Sequence, residues 1–286
     1  MPDDWLFTLA CWGLLATVIA YAVQLFVYRR WAGWLASGLA VAVLLTQVGG
    51  LVARGLRAGR WPLTDVYEFT LVFVAATVLM WLLLERWTRV RAGGVFALGI
   101  AFLLDCYPLL RVPAARRAIR PLVPALRSSW LPLHVGTAAL AYGAFAVAAG
   151  AALLLLVRWA VERRCARLML PEASLEADPW PALDVCDAAL YRAVMLGYPW
   201  MSLALLGGAI WAQIAWGRYW HWDIKETWSL IIWLVYTLFL HLRLMRGWRG
   251  LRLALLALFG FGTVLFTLWG VSGLARAVGL QSLHVY

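Results

Sequence analysis

The sequence predicts an all-α integral membrane protein, a single domain over 1–286 built as a bundle of about eight transmembrane helices with an external tryptophan-rich loop. Three observations predict it. First, 64% of the 286 residues are hydrophobic and only 14% are charged, with a mean hydropathy of +0.80. No soluble core hides that much apolar surface, so the solvent is a bilayer. Second, the apolar residues fall in runs of bilayer length broken by charged connections. Third, four of the 19 tryptophans crowd into WGRYWHWDIKETW, residues 216–228, between two of those runs.

The runs lie at 5–27, 34–53, 66–84, 94–110, 132–157, 194–215, 227–244 and 252–272. The first follows an acidic MPDD and runs too long for a signal peptide, so it is expected to remain as a span. The run at 94–110 is the shortest and carries Asp105. No repeat or low-complexity tract interrupts them.

All the basic residues but Lys225 are arginine, and they set the expected orientation. With the N-terminus outside, the clusters Arg29–Arg30, Arg86–Arg91, Arg158–Arg167 and Arg243–Arg252 fall inside, with Arg192. That is fourteen of the 25 basic residues. Most of the outer eleven sit in the connections 54–65 and 111–130, where they contact lipid headgroups or hold an anionic ligand. The net charge of +11 speaks for anionic lipid and not for nucleic acid.

Cys11, Cys106, Cys165 and Cys186 form no CxxC and read as small packing residues. No CxxCH is present, so the chain does not carry covalent c-type haem.

This orientation places 216–228 in the outer loop before span seven. Trp216, Trp220, Trp222 and Trp228 are either an aromatic belt at the interface or a platform of indoles around Asp223, Lys225 and Glu226. A platform suits a large, flat, amphipathic ligand with a charged edge.

There are four histidines. His134 opens span five, and His284 is the third-last residue, in GLQSLHVY. Both are expected at the outer surface beside the loop, either as solvated interfacial residues or as an axial pair for haem iron. His241 is different. It stands 19 residues beyond Trp222, about 28 Å along a helix, and so near the inner face of span seven. An ionisable group there is either functional or a helix-end neighbour of Arg243.

The segment WGRYWHWDIKETWSLIIWLVYTLFLHLR resembles the tryptophan-rich WWD segment (208–228) of the haem-handling proteins of cytochrome c maturation. RAGRWPLTDVYEFTLVFVA (58–75), LVPALRSSWLPLHVGTAALAYGAF (122–145), GAIWAQIAWGRYW (208–220) and GLQSLHVY (279–286) resemble, in order, segments of the CcsA/ResC type of the system II pathway. The resemblance runs from about residue 46 to the C-terminus. It implies that the loop, with Trp216, Trp220, Trp222, Asp223 and Trp228, binds haem b non-covalently on the outer face. It implies His134 and His284 as axial ligands to the iron there, and His241 as a ligand to haem on its way through the membrane.

The second ligand at that inner site is expected from a CcsB/ResB-like membrane protein. The implied function is delivery of haem across a bacterial cytoplasmic (inner) membrane and its presentation to the CxxCH of apocytochrome c. The chain would be catalytic only with its partner, as a component of a cytochrome c synthase, with thiol-reducing maturation proteins as further partners. Two other readings stay open. They are a system I haem chaperone of the CcmC or CcmF kind, and a transmembrane b-type electron-transfer cytochrome.

Two positions depart from the family pattern. His221 stands where a small residue is usual, and Ile224 where proline is usual, which puts the turn of the loop in doubt. Asp65 and Glu68, in PLTDVYEF, are most plainly a helix cap and a dipole partner.

Overall fold

Long apolar runs become helices because a bilayer leaves backbone amides no partner but each other. The computed structural model describes residues 4–27, 29–122, 124–167 and 180–271. Among these there is no strand. Eight helices are long and apolar enough to cross a membrane, and the chain is a multi-pass membrane protein. They are α1 (Asp4–Val27), α2 (Arg30–Ala58), α3 (Val66–Thr88), α4 (Gly94–Arg111), α5 (Trp130–Arg167), α6 (Leu183–Trp216), α7 (Ile224–Met245) and α8 (Leu251–Leu265). A π-helical turn, Phe266–Gly270, extends α8. The connection before α5 holds a helical turn at Ala114–Arg117 and a 3-10 turn at Pro124–Arg127, which the hydropathy pattern did not signal.

Every expected span is present, but α5 and α6 outrun theirs. α5 continues ten residues past 157 and α6 begins eleven before 194. The added turns are charged, and Arg158 bonds Glu162 one turn on at 2.7 Å. A helix does not stop where its apolar stretch stops, and in water such i,i+4 pairs sustain it.

α5 is the hub. It is the most buried span and packs most extensively on α6, then on α3, α8 and α4. Its middle, AALAYGAFAVAAGAA (138–152), is nearly all small residues, which lets backbones meet where no hydrophobic force drives them together. A Cβ on Gly143 would lie 2.7 Å from the Ala76 backbone, and one on Gly150 would lie 2.6 Å from that of Ala97. Phe145 stacks on Tyr236 of α7 with ring centroids 3.6 Å apart.

The arginine-rich connections 54–65 and 111–130 have a third role that the sequence did not offer. Arg54 is 1% exposed. It bonds Glu68 at 2.9 Å and the Arg117 carbonyl at 2.8 Å. Arg60 reaches the same carboxylate at 2.8 Å, and Arg117 bonds the carbonyls of Val112 and Leu109. These guanidinia tie the connection to the α2 and α3 ends instead of facing lipid or a ligand. The Asp65 side chain caps α3 by accepting from the Glu68 amide at 2.8 Å, as expected.

Candidate functional site

The loop between α6 and α7 is built by its two helix ends. Gly217 closes α6 in the left-handed region (φ 80°), and its amide donates to the Gln213 carbonyl at 2.9 Å. Only glycine takes that conformation without a Cβ penalty. Trp222 also has positive φ, 56°. Asp223 is the N-cap of α7 within a capping box. Its carboxylate accepts from the Lys225 amide at 2.9 Å. The Glu226 carboxylate accepts from the amides of His221 and Asp223 at 2.7 and 3.2 Å. One buried carboxylate thus gathers the loop. Ile224 is the first helical residue, a position that suits proline because its amide would have no helical partner there. With isoleucine in its place the helix still starts at this residue, held by the capping box of Asp223 and Glu226.

Beneath the loop, α3, α5, α6 and α7 enclose a cavity of about 210 Å³, also touched by Thr267 and Leu268 of the π turn. Its aromatic wall includes Phe69, Tyr142, Trp211 and Trp220, and its polar groups include Asp65, Lys225 and Glu226. Burial, and then the Glu68 charge, push the Asp65 carboxyl up from its ordinary value. The volume is below the roughly 300–1,000 Å³ usual for small-molecule clefts. A porphyrin-sized ligand would not fit inside it whole; Tyr219 on its wall is exposed.

His134 is on this wall. Its Nδ1 lies 2.8 Å from the Ala204 carbonyl oxygen. A carbonyl only accepts, so Nδ1 carries the proton and Nε2 is the basic nitrogen, the tautomer a metal-binding imidazole uses. Trp211 lies nearly parallel to the ring, 5.9 Å away and tilted by 10°. A Cβ on Gly208 would sit 2.7 Å from His134 Cε1, so the imidazole occupies a slot that only glycine leaves open.

The sequence-derived candidates separate. His134 and Trp220 line the cavity. Trp216 packs edge-on against Trp211, with centroids 4.7 Å apart. Trp222 is 70% exposed and edge-on to Trp220. Asp223 is used by the cap, and Trp228 lies on Phe266 at 4.3 Å. The His221 ring is edge-on to Trp216 and off the cavity wall. His284 lies outside the described residues.

His241 is exposed near the far end of α7, on one stripe with exposed Leu234, Leu238 and Met245. Two residues on, Arg243 turns inward and pairs with Asp187 of α6 at 2.6 Å.

Sequence reasoning missed Phe69, Tyr142, Gly208 and Trp211, although all four lie inside the segments that carried the resemblance. Among the described residues no group of three His, Cys, Asp or Glu is placed to hold a bare metal ion.

Comparison with known proteins gives the family. The family described as Cytochrome C assembly protein matches residues 5–277. A "Cytochrome c biogenesis protein CcsA" of Synechococcus sp. strain JA-3-3Ab is 34% identical, the match covering 91% of this chain and 86% of that protein. Proteins of the same description from Gloeobacter violaceus and Thermosynechococcus vestitus are 32% and 34% identical. Those matches cover 88% and 86% of this chain, and 86% and 85% of theirs.

Proposed function

This chain belongs to the cytochrome c assembly protein family, among its CcsA-type members, and from that premise we propose that it carries haem b across a bacterial cytoplasmic membrane and presents it on the outer face to apocytochrome c. The observation that carries the reading is the His134 imidazole. It lines an aromatic cavity with its tautomer set by the Ala204 carbonyl. The residues fit a haem edge: an Nε2 donor, indole and phenyl walls, and Lys225 to meet a propionate.

With haem bound, His134 would hold the iron through Nε2, and His284 of the tail would supply a second imidazole. Trp220 and Trp211 would wall the ring off from water, while Trp222, Trp216 and Trp228 would complete the outer platform. When bound, haem supplies the vinyl groups that take up the two thiols of a CxxCH. The chain contributes position and a low dielectric, not a nucleophile. It acts with a CcsB/ResB-like partner, and thiol-reducing proteins keep the client cysteines ready.

His241 serves the inner, entry site. An imidazole exposed among leucines near the end of a span is unfavourable in lipid, so the α7 stripe is where the partner and its own ligand close the site.

The test is an absorption spectrum of the chain purified with its partner. His134→Ala lowers haem content or shifts the bands, and imidazole added during maturation restores part of the yield of cytochrome c. A variant with His134 and His284 both changed to Ala that keeps a bis-histidine spectrum and full maturation overturns the reading.

A further inference from the structure

The cysteines, spread along the sequence, do not stay apart in the fold. Cys11 of α1 and Cys106 of α4 are 95 residues apart, yet their sulfurs are 3.8 Å from each other. We propose that Cys11 and Cys106 form a redox-active dithiol inside the membrane, converted to a disulfide by a lipid-soluble quinone.

The geometry is near that of the oxidised state. A disulfide is about 2.05 Å long, so each sulfur moves roughly 1 Å. That is a side-chain adjustment between two helices already packed together. A thiolate is the reactive form. Asp105, the residue before Cys106, is fully buried, its Oδ1 accepting from Gln47 at 3.2 Å and its Oδ2 without a hydrogen-bond partner. Access is from lipid. Cys106 is half-buried and shares a helix stripe with Leu103 and Leu110, 68% and 79% exposed.

The step balances. The Cys106 thiolate adds to a quinone ring carbon. The Cys11 sulfur then attacks Cys106, forming the S–S bond and breaking the S–C bond. The electron pair leaves with the ring, which takes up the two protons the thiols have lost. Two thiols and a quinone thus become a disulfide and a quinol. The next residue, Tyr107, packs on Trp269 at 4.7 Å. Trp269 directly follows Thr267 and Leu268 of the cavity wall, so a covalent tie between α1 and α4 is two contacts from the site.

The test uses the full chain without haem, so it stands apart from the haem reading. The purified protein is treated with a short-chain ubiquinone whose fully substituted ring forms the transient adduct but has no ring hydrogen to lose, so no lasting aryl thioether results. It is then denatured and labelled with a maleimide polymer. Untreated chain takes up four labels, one per cysteine. Treated chain should take up two, with four restored by dithiothreitol, and peptide mapping should link the Cys11 peptide to the Cys106 peptide. Cys11→Ser and Cys106→Ser should each keep all their remaining thiols. Four labels after quinone, a bridge to Cys165 or Cys186, or a bridge formed only by diamide overturns the proposal.

Discussion

His134 and Gly208 face each other so closely that a methyl group on Gly208 would overlap the imidazole, 2.7 Å from Cε1 and 2.8 Å from Nδ1. The neighbouring Gly207 is ordinary by comparison, its Cβ falling 3.6 Å from the His134 Cα. Both glycines lie within α6, where alanine is the better helix former by about 1 kcal/mol. Gly208→Ala should therefore lower haem occupancy several-fold at unchanged yield, by displacing the ring from the Ala204 carbonyl. Gly207→Ala should leave occupancy unchanged and raise thermal stability slightly. Haem-to-protein ratio and the melting midpoint in detergent check this, and equal occupancy in the two variants would sink it.

The Arg54–Glu68 pair is buried on both sides. Removing one partner from such a pair strands the other charge, at a cost of about 3–5 kcal/mol. Glu68→Ala should lower the melting midpoint sharply, because it also releases Arg60 and Thr64. Arg60→Ala should cost much less, since that guanidinium is partly open to water. If Glu68→Ala melts with the wild type, the knot is not what secures this end of the bundle.

Asp65 combines a favourable cap with an unfavourable burial. Its pKa is raised chiefly by desolvation. A raised carboxyl binds its proton more tightly folded than unfolded, so its contribution is fully present below its ordinary value and is lost as pH rises through the raised folded value. Asp65→Asn keeps the cap and removes the charge. It should match or exceed the wild type at neutral pH and lose that advantage in acid. Asp65→Ala should be about 1 kcal/mol less stable than the Asn variant at any pH, because it loses the cap as well as the charge. Melting curves across pH separate the two. An Asn variant less stable than wild type at neutral pH would show that the ionised carboxylate is favourable after all.

The spans were legible because a bilayer demands unbroken apolar length, and the N-cap Asp65 because capping is local. What was illegible depends on residues far apart in the chain. The His134 tautomer is set by Ala204, 70 residues on. The burial of Arg54 required Glu68 to come round on the next helix, so an arginine-rich connection looked like a headgroup contact. Cys11 and Cys106 are joined only by the packing of α1 on α4. The helix ends of α5 and α6 were missed because hydropathy marks the membrane boundary, not the end of hydrogen bonding. The tryptophan loop was found by composition, but composition does not say which indole faces inward.

That last point is testable. Trp220 is half-buried on the cavity wall, whereas Trp222 and Trp61 are 70% and 69% exposed. Trp220→Leu should reduce haem retention through a desalting column without changing expression. Trp222→Leu, which touches only the outer platform, should reduce retention less, and Trp61→Leu should leave retention by the chain and its partner near wild type. If all three behave alike, the loop is an interfacial belt and its crowding has no bearing on the ligand.

The last prediction concerns His241 and the order of loading. α7 is the least buried span, and His241 is turned out of the bundle while Arg243 is held inward by Asp187. The imidazole is thus presented on a fixed backbone beside Leu238 and Met245, a surface too apolar for water and too polar at one point for lipid. A ligand shared with the partner chain resolves that conflict. If haem enters there, His241→Ala should empty both the inner and the outer site in cells, whereas His134→Ala should leave the inner haem in place. Asp187→Asn should weaken the hold on Arg243 and give a milder form of the His241 defect, rescued by neither imidazole nor higher expression. The asymmetry decides the matter. A His241→Ala complex whose outer haem loads fully by the cellular route would exclude His241 as the entry ligand, and its exposure would then mark only the end of a helix.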